Sequence, residues 1–136
     1  MPVFERVSET RFEGPLATID RLSERIVEIR MKPGVEIDGR GMKAIEACTR
    51  TLTEGAPIAQ LVDRRTSYSL SYGAQRVLAA DETLAAVAYL IDNSVSQVVV
   101  DFARETYLKG VAIETFTRRD RAIAWLQEVL MHVEVS

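Results

Sequence analysis

The run Pro57-Ile58-Ala59-Gln60-Leu61-Val62 limits the fold of this chain more than any other stretch. It follows Gly55, is almost continuously apolar, and is too short to be a helix of its own. Such a run fits a strand buried on both faces, as occurs when helices cover both sides of a parallel sheet. Asp63-Arg64-Arg65 closes it, a hydroxyl-rich loop follows, and a helical pattern begins near Ser71. Charges and hydroxyls therefore collect past the carboxyl end of a central strand, where open α/β sheets place ligands or partners.

Strand and helix signals alternate around this run. Residues 1–14 have no clear period and read as an irregular arm or a short edge strand, with the domain proper spanning 15–136. Leu16–Ile19 and Ile26–Met31 read as a hairpin. In its second strand Val27, Ile29 and Met31 alternate with Glu28 and Arg30, which predicts one wet face. After the break at Pro33-Gly34, Asp38 caps a helix running to about Glu54, with Met42, Ile45, Cys48 and Leu52 on one side. Ser71 caps a second helix, whose buried face is Ala74, Val77 and Leu78. Leu84–Ile91 reads as a strand, and Ser94-x-x-Gln97 as the capping box of a helix that buries Val95, Val98, Val99 and Phe102. Val111–Phe116 is the last strand. Thr117 with Asp120 caps the last helix, where Ala122, Ile123, Leu126, Val129 and Leu130 recur at helical spacing.

The order β-β-α-β-α-β-α-β-α predicts a single α/β domain. Its sheet is expected to be mainly parallel, with four to five strands, an N-terminal antiparallel hairpin and four helices. A chain of 136 residues can bury such a core without staples. Its net charge of -3 argues against nucleic acid as a partner. One cysteine excludes an internal disulfide, and no apolar run approaches a membrane span. The opening residues carry charges where a signal peptide needs an apolar core, so the expected location is cytoplasmic.

The hairpin, the phrase Pro33-Gly34-Val35-Glu36-Ile37-Asp38, the helix after it and Leu61-Val62-Asp63-Arg64 together resemble bacterial STAS-domain proteins of the anti-sigma-factor-antagonist-like (SpoIIAA-like) group. The Ala86–Ser96 segment and Phe116-Thr117 with Ala122-x-x-Trp125-Leu126 extend the resemblance to roughly residues 15–130. It implies a STAS-like fold and a regulatory or protein-interaction role in place of an enzymatic one. In that group a strand ending in Asp leads to Asp-Ser-Ser-Gly, whose serine is phosphorylated at a helix start. Here Asp63 matches the strand end and Ser69 or Ser71 the helix start, but Tyr68-Ser69-Leu70-Ser71 replaces the phrase itself. Some relatives are grouped with lipid-binding SEC14-like folds, which implies an apolar pocket as the alternative.

The candidate interaction and phospho-switch loop is therefore Asp63, Arg64, Arg65, Tyr68, Ser69, Ser71 and Tyr72, with Asp92, Thr117 and Arg118 as a second strand-end cluster. Ser71 is read first as a helix cap, and as a site where Arg64 or Arg65 would stabilise an added phosphate. Arg118, Arg119 and Arg121 with Arg64 and Arg65 are weighed as an anion-binding rim against a solvated surface. An enzymatic reading would rest on Asp63, Asp92 and Arg64, but the lysine that a receiver-type Mg²⁺ site needs after the last strand is missing. Cys48 reads as a core residue, and no catalytic set, metal site or cofactor motif is complete. The expected partners are an unidentified protein, a second copy of the chain, or a small apolar ligand held between the sheet and the helix Val95–Leu108.

Overall fold

The computed structural model describes residues 3–135. The first four strands form an antiparallel meander: β1 (Glu5–Ser8), β2 (Arg11–Glu13), β3 (Ala17–Ser23) and β4 (Ile26–Met31). From β4 onward the same sheet becomes parallel, adding β6 (Ile58–Asp63), β8 (Leu84–Leu90) and β9 (Ala112–Phe116) in that order. Two short strands, β5 (Glu36–Ile37) and β7 (Ser69–Leu70), form a separate parallel pair. The helices are α1 (Gly39–Thr53), α2 (Tyr72–Ala79), α3 (Ser94–Glu105) and α4 (Arg119–Val135).

The α/β class and the four helices agree with expectation, but the sheet does not. It has seven strands and is mixed, where a mainly parallel sheet of four to five strands was expected. The difference lies in residues 5–13. Every residue of β1 is exposed, so no apolar alternation marks it, and it is held by its ladder to β2 and by Arg6 stacked 5.6 Å from the Phe12 ring. A register shift between Arg6 and Ser8 and the flanking charges suit an edge that must not pair further.

Strand β4 also departs from the expected single wet face. It lies inside the sheet, between β3 and β6, and Ile26, Val27, Glu28 and Ile29 are all buried. Its alternation points Val27, Ile29 and Met31 towards the α1 side, and Ile26 and Glu28 towards α4.

Two apolar layers sandwich the sheet. On one side Ile45, Leu52, Ala74, Leu78, Val100 and Ala103 from α1, α2 and α3 meet Ile29, Val62 and Val87. On the other, Ala122, Leu126 and Leu130 of α4 cover Ala59, Leu61, Ala86 and Ala88. The small residues of β6 and β8 let α4 lie close, and full burial of Leu126 alone is worth about 2 kcal/mol. Strand β6 is buried at five of its six positions, as its sequence requires. Helix α1 stops where Glu54 and Gly55 take left-handed φ values of 56° and 77°, the second at the glycine that marks the stop in the sequence.

Candidate functional site

The carboxyl end of β6 carries the expected loop, where Asp63 pairs with Arg65 and Arg64 with Tyr68. Asp63 accepts both side-chain hydrogen bonds of Arg65, at 2.9 and 2.8 Å, and a third from the Arg65 amide at 3.0 Å. This Arg65 fork, outweighing the effect of burial, holds the Asp63 carboxyl below the usual carboxylate range. Arg64 turns the other way. Its guanidinium lies 4.2 Å from the Tyr68 ring centre and donates a long 3.3 Å bond to the Tyr68 carbonyl, while its Nε is buried without a partner. Burial, opposed by Arg64, raises the Tyr68 hydroxyl above its ordinary value.

Ser71 caps α2 as expected: its Oγ accepts from the Ala74 amide at 3.1 Å, and its own backbone is extended. Ser69 is not at the helix start. It lies in β7, exposed, with its amide bonded to the Val35 carbonyl at 3.1 Å. Tyr72 opens α2 at 72% exposure, with Arg76 5.9 Å from its ring.

The second cluster is not brought together. Asp92 accepts from the Asn93 amide group at 2.7 Å, whereas Thr117 and Arg118 lie with Phe116 and Arg121 in a separate groove at the end of β9. Arg118 is paired with Asp120 at 2.8 Å, and among the described residues Thr117 makes no side-chain bond to α4, so the expected Thr117 and Asp120 cap does not form. Nor do the arginines make one rim. Arg65 is tied to Asp63, and Arg119 reaches from the start of α4 to Glu28 of β4.

The largest correction concerns α3. Its cap is Asn93, whose Oδ1 accepts from the Ser96 amide at 2.9 Å, not Ser94. Gln97 does not return to the cap. It bonds Asp101 at 2.9 Å and receives the Thr115 hydroxyl at 3.0 Å, and the helix is turned relative to expectation. Val100 and Ala103 go into the core, and the face expected inside is in solvent: Val95 at 72%, Val98 at 67%, Val99 at 36% and Phe102 at 52%. This stripe runs beside the 64–68 loop, and Arg64, Ser67, Tyr68, Val95 and Val99 line a groove of about 250 Å³ between them.

The interior cavity lies between the sheet and helices α1 and α2, touching Met42, Ile45, Gln60, Leu78 and Tyr89, with Leu108 as its only boundary towards the α3 side. Its volume is about 20 Å³. That is room for roughly one water, which needs about 10–15 Å³. Glu46 lines this cavity and faces Asp81; neither Glu46 Oε2 nor Asp81 Oδ2 has a hydrogen-bond partner, and the Arg50 guanidinium lies 3.8 Å from each carboxylate. Burial, then the nearby Asp81 charge, pushes the Glu46 carboxyl up to about 7. Periodicity alone did not reveal this acid pair, because Glu46 reads as one more polar position of α1. Cys48 sits on the buried side of the same helix, and burial pushes its thiol up to about 11, as suits a core residue.

The sheet is mixed, with three helices on one face, one on the other and a capped helix after the central strand, and a solved structure with a SpoIIAA-like fold shares this architecture. The chain is similar to the crystal structure of an uncharacterized protein from the DUF3478 family, with a SpoIIAA-like fold, from Shewanella loihica PV-4. The likeness has a TM-score of 0.55 over 93% of this chain and 92% of that one; at 16% identity it concerns the fold alone. Residues 21–130 match the family described as Domain of unknown function (DUF7793), and the chain belongs to that family. No curated protein matches it. Among the described residues, no helix is long and apolar enough to cross a membrane.

Proposed function

We propose that this protein is a regulatory or protein-interaction module of the STAS-like type, working through residues 63–72 and the adjoining face of α3. The observation that carries this reading is the α3 stripe: four large apolar side chains left in solvent next to the loop that ends the central strand. Within that loop, the Ser71 hydroxyl stands at the positive end of α2, where an added phosphate would meet the helix dipole. The alternative, a small apolar ligand in the interior, needs α1 or α2 to move first, because the cavity there is water-sized.

The test is photo-crosslinking in the native host, with a benzophenone amino acid in place of Ser67, an exposed residue of the groove wall. Expected is one protein adduct of defined mass, missing when the probe replaces Glu24, exposed in the turn between β3 and β4 at the opposite end of β4. Equal labelling at both positions, or none at Ser67, would remove the reading.

A further inference from the structure

We propose that the α3 stripe is covered by the α3 of a second copy, the two helices antiparallel about a two-fold axis that passes between Val98 and Val99. This deepens the interaction reading by naming its partner, and it rests on the same surface. Three observations converge on it.

The first is spacing. Val95-x-x-Val98-Val99-x-x-Phe102 has its large apolar residues at the same intervals when read in either direction. A two-fold contact requires that property, because residue i meets j while j meets i. Val95 then faces Phe102 of the other copy, and Val98 faces Val99.

The second is charge. The amino-terminal end of the stripe lies by Arg64 and Asp92, Arg65 being held by Asp63, and its carboxy-terminal end carries Arg104 and Glu105. Asp101 is engaged by Gln97 and Arg104, while Glu105 has no ion-pair partner among the described residues. Antiparallel pairing brings the Arg104–Glu105 end of each α3 towards the Arg64 and Asp92 end of the other, so that acid and base meet at both ends, and it opposes the two helix dipoles favourably. Parallel pairing would set like ends together, Asp92 against Asp92 and Glu105 against Glu105.

The third is room. The groove between Val95, Val99 and the 64–68 loop has about 250 Å³. A benzene-sized ring needs only about 150 Å³. The Phe102 ring, half exposed in the single chain, can seat there beside the stacked Arg64 and Tyr68. Aromatic anchors in such recesses carry most of the energy of an interface.

The experiment uses the purified full chain. Light scattering and sedimentation over a wide concentration range should show a dimer, and Phe102→Glu should weaken it at least about 30-fold. Val98→Asp should do the same, with unchanged circular dichroism showing that both variants fold. Cys48 is buried, so Val99→Cys supplies the accessible thiol; oxidation should link it across the axis, whereas Gln127→Cys on the exposed side of α4 should not link. A monomer throughout, or a dimer indifferent to Phe102→Glu and unlinked at position 99, overturns the proposal. A heterologous adduct in the crosslinking experiment above, together with a monomer here, would overturn this pairing while leaving the interaction reading standing.

Discussion

Glu28 of β4 and Arg119 of α4 are joined across 91 residues by a two-pronged contact, Nη2 to Oε1 at 2.9 Å and Nε to Oε2 at 3.2 Å. The Glu28 side chain is 8% exposed and that of Arg119 49%, so the carboxylate is the buried partner and the guanidinium its link to water. On the same sheet face Asp20, opposite Glu28 in the ladder, is bound by Arg11 and Arg30. The pair therefore ties the parallel half, through α4, to the strand where the antiparallel half begins.

Arg119→Ala leaves the Glu28 carboxylate buried and unpaired. Loss of one partner of a fully buried pair costs about 3–5 kcal/mol, and the half-exposed arginine reduces this to about 1–2 kcal/mol here. Arg119→Lys should fall between, because an ammonium cannot make the fork. Urea denaturation midpoints for the three proteins decide it, and an unchanged midpoint for Arg119→Ala would refute the role given to this contact.

Ser71→Ala removes the oxygen that accepts from Ala74 and should cost about 1 kcal/mol. Ser71→Asp should restore that stability, since aspartate caps as well and its charge suits the helix end. Equal loss in both variants, followed by thermal unfolding, would mean that the hydroxyl stabilises α2 by some route other than capping.

The parts of the fold readable in the sequence are those decided by neighbours along the chain. The buried run of β6, the Asp38 and Ser71 caps and the stop at Gly55 each depend on a few adjacent residues, and each is where its pattern puts it. Long-range contacts decided the rest. Strand β1 has no buried face and exists only through pairing, and β5 and β7 are two residues each. Helix α3 is apolar around most of its circumference, with Val95, Val98, Val99, Val100, Phe102 and Ala103 all able to pack. The Thr115 to Gln97 bond from β9 accompanies the choice of the Val100 and Ala103 side. Of the candidate site, the Asp63–Tyr72 loop was legible as a place; its internal pairing of Asp63 with Arg65 and Arg64 with Tyr68 was not.

Glu46 makes stability depend on pH. Its carboxyl is 4% exposed and ionises near 7 when folded, against 4.5 for the unfolded group. Between those values the unfolded chain releases a proton that the folded chain keeps, so stability is greatest below about 4.5 and falls as pH rises towards 7. At about 1.36 kcal/mol per pH unit the fall is roughly 3.5 kcal/mol at most. Glu46→Gln removes the charge and should be more stable than the parent near pH 8 while changing little near pH 5. Denaturation curves at the two pH values test this, and the same pH slope in both proteins would assign the dependence to another group.

Two nearby positions in α3 should respond unequally. Val100 is 1% exposed and packs in the main core, so Val100→Ala opens a void and should cost about 1–3 kcal/mol. Val98, two residues earlier, is 67% exposed, and Val98→Asp should change the stability of the single chain by no more than about 0.5 kcal/mol. The comparison is made at concentrations where the chain is monomeric, so that lost association does not enter the melting temperature. If Val98→Asp were the more damaging of the two, α3 would be packed through the face that its sequence pattern suggests, and the surface on which both functional proposals rest would not exist.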